Sequence, residues 1–150
     1  MSTHTISIEQ TMETLAMPTT HTSISNKQLW AGRILSGLAA AFLLLDGGMK
    51  LFKPAPVVKA TVQLGYPESV IVGLGIALLA STLLYLIPRT ALLGAVLLTG
   101  YLGGAVASNV RVGGPVFNII FPVFFGAVLW GGLWFRDQRL RELLPLRREA

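Results

Sequence analysis

Phe42-Leu43-Leu44-Leu45-Asp46-Gly47-Gly48-Met49-Lys50-Leu51-Phe52 sets an acid and a base four residues apart in an otherwise apolar run. On a helix of 3.6 residues per turn, positions i and i+4 share a face, so Asp46 and Lys50 are neighbours. The run reaches back to Trp30 with Arg33 as its one other charge. A helix over residues 30–52 rises about 34 Å and crosses a hydrocarbon core of about 30 Å. Ionisable groups at that depth are costly, and they turn inward to pair with one another or to line a wet cavity. The stretch therefore predicts a membrane span and, on one of its faces, a candidate polar site.

The composition agrees with a membrane protein. Of 150 residues, 53% are hydrophobic and 13% charged, too apolar for an ordinary soluble domain of this size. The absence of cysteine removes disulfides, thiol nucleophiles and thiolate-held metals together. The net charge of +5 comes from basic residues that flank hydrophobic runs rather than forming a patch interleaved with stacking aromatics. Such residues set topology, and no nucleic-acid partner is expected.

Residues 1–26 hold eleven Ser or Thr, two His and two Glu, without Lys or Arg. This composition predicts a disordered tail, and the pattern of a secretory signal is missing from it. His4 and His21 are isolated in that tail and are read as solvated residues, not metal ligands. The expected organisation is a tail over 1–26, a membrane domain over 27–146 and a short tail over 147–150.

Beyond the first span, Lys53-Pro54-Ala55-Pro56 ends the helix, because Pro54 has no amide hydrogen and disfavours helical geometry at Lys53. Residues 57–64, with Pro56 before them and Gly65 after, predict a two-turn interfacial helix. Tyr66-Pro67 marks re-entry. Residues 69–88 and 90–110 are uncharged runs of twenty and twenty-one residues, joined so tightly at Arg89 that they predict an antiparallel hairpin. A fourth uncharged run of twenty-four, residues 112–135, predicts a helix starting near Pro115, with a bend at Pro122. The expected fold is all-α: an integral membrane four-helix bundle with a disordered N-terminal tail and a short amphipathic C-terminal segment. Small residues at steps of four, Gly32, Ser36 and Ala40, then Gly73, Ala77 and Ser81, then Gly100, Gly104 and Ser108, predict close helix approach, with the last two stripes facing each other.

Residues 136–148 carry five arginines among spaced leucines and predict a juxtamembrane amphipathic segment attracted to anionic lipid. Four spans place both termini on one side. That side carries Lys27, Arg33, Arg89 and the five tail arginines, against Lys50, Lys53, Lys59 and Arg111 on the other. The positive-inside rule then predicts cytoplasmic termini, with Trp30 and Trp134 at the same interface.

In that topology Asp46, Lys50, Asn109, Arg111 and Asn118 share one depth on the outer side, with Tyr101 deeper on the third span. These six residues form the candidate polar pocket. The simpler alternative is an i, i+4 pair that neutralises itself, with Lys50 snorkelling to the headgroups and Arg111 a loop charge. Asp46 is the more telling residue, since an aspartate has no stem with which to reach water. No nucleophile–base pair, phosphate-cradling glycine loop or metal-ligand cluster is present in the sequence, so no catalytic and no metal residues are assigned.

As an ordered set, the segment ending Leu45-Asp46, Met49-Lys50, Leu64-Gly65-Tyr66-Pro67, Leu84-Tyr85-Leu86-Ile87-Pro88-Arg89-Thr90, the run from Leu97-Leu98-Thr99-Gly100-Tyr101 to Ala107, Arg111-Val112-Gly113 and Trp130-Gly131-Gly132-Leu133-Trp134 resemble the DoxX-like family of small bacterial membrane proteins. The resemblance spans roughly residues 30–146 and implies a four-helix bundle in the bacterial inner membrane. The wider group is associated with the membrane subunit of a thiosulfate:quinone oxidoreductase and with redox partners. Many relatives carry His where this chain has Asn109, and an amide neither shuttles protons nor ligates metal well near neutral pH.

Together, the resemblance and the outward-facing polar pocket read from the topology lead to the expectation of an accessory subunit of a quinone-linked or redox-associated membrane system, with quinone as the cofactor class and a homo-oligomer or redox protein as partner within the lipid bilayer. The alternatives are a small-molecule permease or channel, and a non-catalytic assembly factor. Lack of cysteine, and of histidine in the spans, disfavours haem, iron–sulfur or copper held by this chain.

Overall fold

The computed structural model describes residues 26–137 and residue 140. The expected N-terminal tail up to residue 25 and most of the amphipathic C-terminal segment lie outside the described residues, whereas Asn26, expected in the tail, begins the first helix. Those residues form α1 (Asn26–Phe52), α2 (Ala55–Gln63), a 3-10 turn (Glu68–Val70), α3 (Ile71–Leu86), α4 (Ala91–Arg111) and α5 (Val116–Arg136). Four helices, α1, α3 with its leading 3-10 turn, α4 and α5, are long and apolar enough to cross a membrane. The chain is an all-α, multi-pass membrane protein.

Local chemistry sets the helix ends. Pro54 caps α2 in an extended conformation. Lys53 before it adopts φ +48°, the strained left-handed region, and its ammonium lies 3.6 Å from Glu68 across the loop. The helix α2 starts at Ala55, earlier than the expected residue 57, because Pro56 sits inside the first turn, where its missing N–H costs nothing. Gly65 (φ +81°) and Gly113 (φ +64°) take the left-handed positions that stop α2 and turn the chain after α4. The α5 helix runs through the buried Pro122.

Helix α1 packs on α3 and α5, and α4 packs on the same two, so α1 stands diagonal to α4 in an up-and-down bundle. In lipid, such packing relies on close backbone approach and interhelical hydrogen bonds more than on burial of apolar area. The α1 stripe Gly32, Ser36 and Ala40 is buried, as its spacing predicts, and continues to Leu43 and Gly47. A Cβ at Gly132 of α5 would collide with the Ser36 hydroxyl, and one at Gly32 would stand 2.8 Å from Cβ of Phe135. Farther along, Gly47 faces Gly75 and Leu79 of α3 in the same way.

The other two expected stripes do not face each other. Hypothetical Cβ atoms at Gly73, Gly100 and Gly104 meet nothing within 4 Å, and Ala77 is exposed. The buried face of α3 is instead Ile71, Gly75, Leu78, Thr82 and Tyr85, with Ser81 at its edge. Helix α4 meets α3 through Gly94, where a Cβ would collide with the Tyr85 backbone.

Tyr85 ties the end of the bundle that bears both termini. It is fully buried. Its hydroxyl donates to the Leu129 carbonyl of α5 at 2.8 Å, which spends its only proton, so Ser36 of α1 donates to the Tyr85 oxygen at 2.9 Å. Arg136 donates to the Tyr85 carbonyl at 2.7 Å, with its guanidinium 4.6 Å from the ring centroid. With Gly94 against its backbone, this one residue contacts all three other spans. Gly94→Ala should lower stability by about 1–3 kcal/mol through overpacking, while Gly103→Ala, in open space, should stay within about 0.5 kcal/mol of the parent. Thermal unfolding in detergent measures both.

Candidate functional site

The opposite end of the bundle is open. A cavity of about 400 Å³ lies there, walled by α1, α4 and α5, with Leu74 of α3 at its edge and α2 across it. Asp46 and Lys50 enter from α1, with Lys50 Nζ donating to Asp46 Oδ2 at 2.5 Å. Their side chains keep 32% and 15% exposure, so the pair is shielded but not sealed. Tyr101 lines the same cavity from α4. Its hydroxyl makes no hydrogen bond among the described residues, and neither does the second oxygen of Asp46. One corner of the cavity therefore offers an ammonium, a carboxylate oxygen and a phenol.

The other walls are apolar. Phe121 and Phe125 of α5 pack with Phe42 of α1, ring centroids 5.5 and 4.6 Å from Phe42 and 4.9 Å from each other. These edge and tilted contacts make an aromatic wall. Gly100 and Gly104 line the α4 side, so the small residues there widen the cavity instead of packing a neighbouring helix.

Helix α2 covers this space with Val57, Ala60 and the buried Thr61, whose hydroxyl donates to the Val57 carbonyl. Two bonds tether its C-terminal turn to the end of α4. Arg111 donates to the Leu64 carbonyl at 2.6 Å and lies 5.8 Å from the Tyr66 ring. The Tyr66 hydroxyl bonds Ser108 at 2.7 Å, and because Ser108 donates to the Gly104 carbonyl, Tyr66 is the donor.

Of the six residues expected in one pocket, Asp46, Lys50 and Tyr101 line the cavity, whereas Asn109, Arg111 and Asn118 do not. Asn109 lies about 100° around the helix from Ser108; it is buried and donates to the Ala105 carbonyl at 2.9 Å. Arg111 is exposed and serves as the α2 tether. Asn118 is exposed, a turn before Phe121 on α5. Tyr66, Ser108 and the phenylalanine wall were not singled out from the sequence as site residues. Phe121 and Phe125, four apart and so on one face of α5, carried a signal for the wall; Tyr66 and Ser108, 42 residues apart, carried none. Among the described residues no group of three or more His, Asp or Glu side chains could hold a metal ion.

A family model described as DoxX-like matches residues 34–132, more than half of the chain. The chain belongs to the DoxX-like family. The matched region ends before Trp134, short of the span expected from the motifs, and contains every residue that lines the cavity. Comparisons with curated proteins and with solved structures found no match.

Because α2 is held by few bonds, Tyr66→Phe and Arg111→Gln should each loosen it by on the order of 1 kcal/mol. Hydrogen–deuterium exchange in residues 55–66 should rise in both variants, with exchange around Tyr85 unchanged.

Proposed function

We propose that this DoxX-like protein is an accessory membrane subunit that holds a quinone headgroup beneath α2 on behalf of a redox partner. The observation that carries this reading is the pairing, in one cavity, of an aromatic wall with a corner of unspent hydrogen-bonding groups. Pockets of about 300–1,000 Å³ with mostly apolar walls and a few placed polar groups suit small ring ligands. A quinone ring is flat and apolar on its faces and accepts hydrogen bonds only at its two carbonyl oxygens. Lys50 and Tyr101 supply donors for such an oxygen. The remaining Asp46 oxygen accepts from a hydroxyl, which is what the reduced ring presents, so both forms of the ligand find partners. When bound, the quinone supplies the two-electron chemistry; the chain's own residues orient the ring and hold protons at its oxygens.

Quinone extracted from protein purified in its native lipids tests this reading. Wild type should carry quinone above the level of the surrounding lipid. Tyr101→Phe, losing a neutral hydrogen bond of about 1 kcal/mol, should reduce affinity about fivefold, and Lys50→Met, losing a charge-assisted one of about 1.5–3 kcal/mol, about ten- to a hundredfold. Asp46→Asn keeps an oxygen that accepts from Lys50 and should preserve the fold while weakening retention of the reduced form. Equal quinone content in all variants would contradict the assignment.

The excess of basic residues at the terminus-bearing end supports a bacterial inner-membrane location with cytoplasmic termini and an outward-facing cavity. The chain has no cysteine, so single labels are unambiguous. In intact cells with permeabilised outer membranes, an impermeant maleimide should modify Lys59→Cys and spare Arg89→Cys; the reverse pattern would invert the topology.

A further inference from the structure

A second cavity, of about 730 Å³, opens at the terminus-bearing end, away from the Asp46–Lys50 corner. Three arginines line it from three separate elements: Arg33 on α1, Arg89 in the turn between α3 and α4, and Arg136 at the end of α5. Among the described residues Asp137 is the only carboxylate in the lining, so these residues bring an excess of two positive charges to the crevice, three arginines less one aspartate. Arg33 and Arg89 have no ion-pair partner among the described residues. Topology requires basic residues at one end of a bundle, but it does not require that they converge on one crevice, where their mutual repulsion is unfavourable unless an anion joins them.

Arg136 is held in advance. Its bond to the Tyr85 carbonyl and its place over the Tyr85 ring fix the guanidinium on a fully buried residue, and most of its five N–H donors remain unspent. A guanidinium fixed in this way loses little freedom on binding, and its planar fork matches phosphate oxygens. The rest of the lining is apolar, with Leu86 and Leu92 among it, at the level where the spans end. Basic pockets between membrane helices at that depth take lipid headgroups.

We infer that this crevice is a phosphate-binding site in which Arg33, Arg89 and Arg136 clasp one phosphate group, and the apolar lining favours an anionic phospholipid as its source. The site is independent of the quinone assignment.

Native mass spectrometry of the protein from nanodiscs of mixed phosphatidylcholine and phosphatidylglycerol, with and without added inorganic phosphate, tests the inference. Arg33→Gln and Arg89→Gln are suitable variants because both residues are exposed; Lys27→Gln, exposed at the same end but outside the crevice, is the charge-matched control. Wild type should retain phosphatidylglycerol over phosphatidylcholine, and each arginine variant should lower that retention roughly tenfold, the loss of one charge-assisted contact. Lys27→Gln should not change it. Inorganic phosphate bound without lipid retention, and lost in the arginine variants, would support the same site with a free anion as its ligand. Equal retention of both lipids without phosphate binding, or a loss in Lys27→Gln as large as in Arg33→Gln, would overturn the inference.

Discussion

The bundle depends on Tyr85. Its hydroxyl is engaged by α1 and α5, its carbonyl by α5 and its backbone by α4, and these contacts require small residues or specific donors at the meeting points. In a bilayer, where lipid tails are as apolar as the helix surfaces, such contacts supply the association energy that water would supply in a soluble protein. At this end the helices are drawn together by Gly32, Gly94 and Gly132. At the other end Gly100 and Gly104 lack partners, and no buried tyrosine crosses the centre. The same four helices therefore close one end and leave a cavity at the other.

That asymmetry determines what Asp46 and Lys50 can do. A pair packed among the contacts around Tyr85 would be sealed, and its desolvation would outweigh much of its mutual attraction. In the open half the pair neutralises itself while part of its hydrogen-bonding capacity stays available. Helix α2 completes the arrangement by covering the corner from the interface. Its attachment rests on Arg111, Tyr66 and the Lys53–Glu68 pair, polar contacts at the edge of the bundle, so it can respond to a ligand without disturbing the closed end.

The spans were legible because charge is the strongest signal in a membrane sequence: Glu68, Arg89, Arg111 and Arg136 bracket the last three almost by themselves. Pro54, Gly65 and Gly113 announced the turns through their backbone chemistry, and Asp46 with Lys50 announced a polar face through its cost. Helix rotation was much less legible. With apolar residues on every face, the pattern of α3 does not say whether Gly73 or Gly75 turns inward, and only the packing against Gly47 decides for Gly75. The same ambiguity placed Asn109 in the cavity by depth, although its helical phase turns it to the Ala105 carbonyl. Tyr66 and Ser108 meet across 42 residues of chain, a contact no local pattern encodes.

We propose that the open half of the bundle is a ligand site and the lipid-facing surface is not. Photolabelling with an azidoquinone in native vesicles, followed by peptide mapping, tests it most directly. Adducts should concentrate at Tyr101, Leu102, Phe121 and Phe125 and fall when unlabelled quinone competes. Adducts spread over the lipid-facing Phe117, Ile120 and Phe124, insensitive to competition, would contradict it.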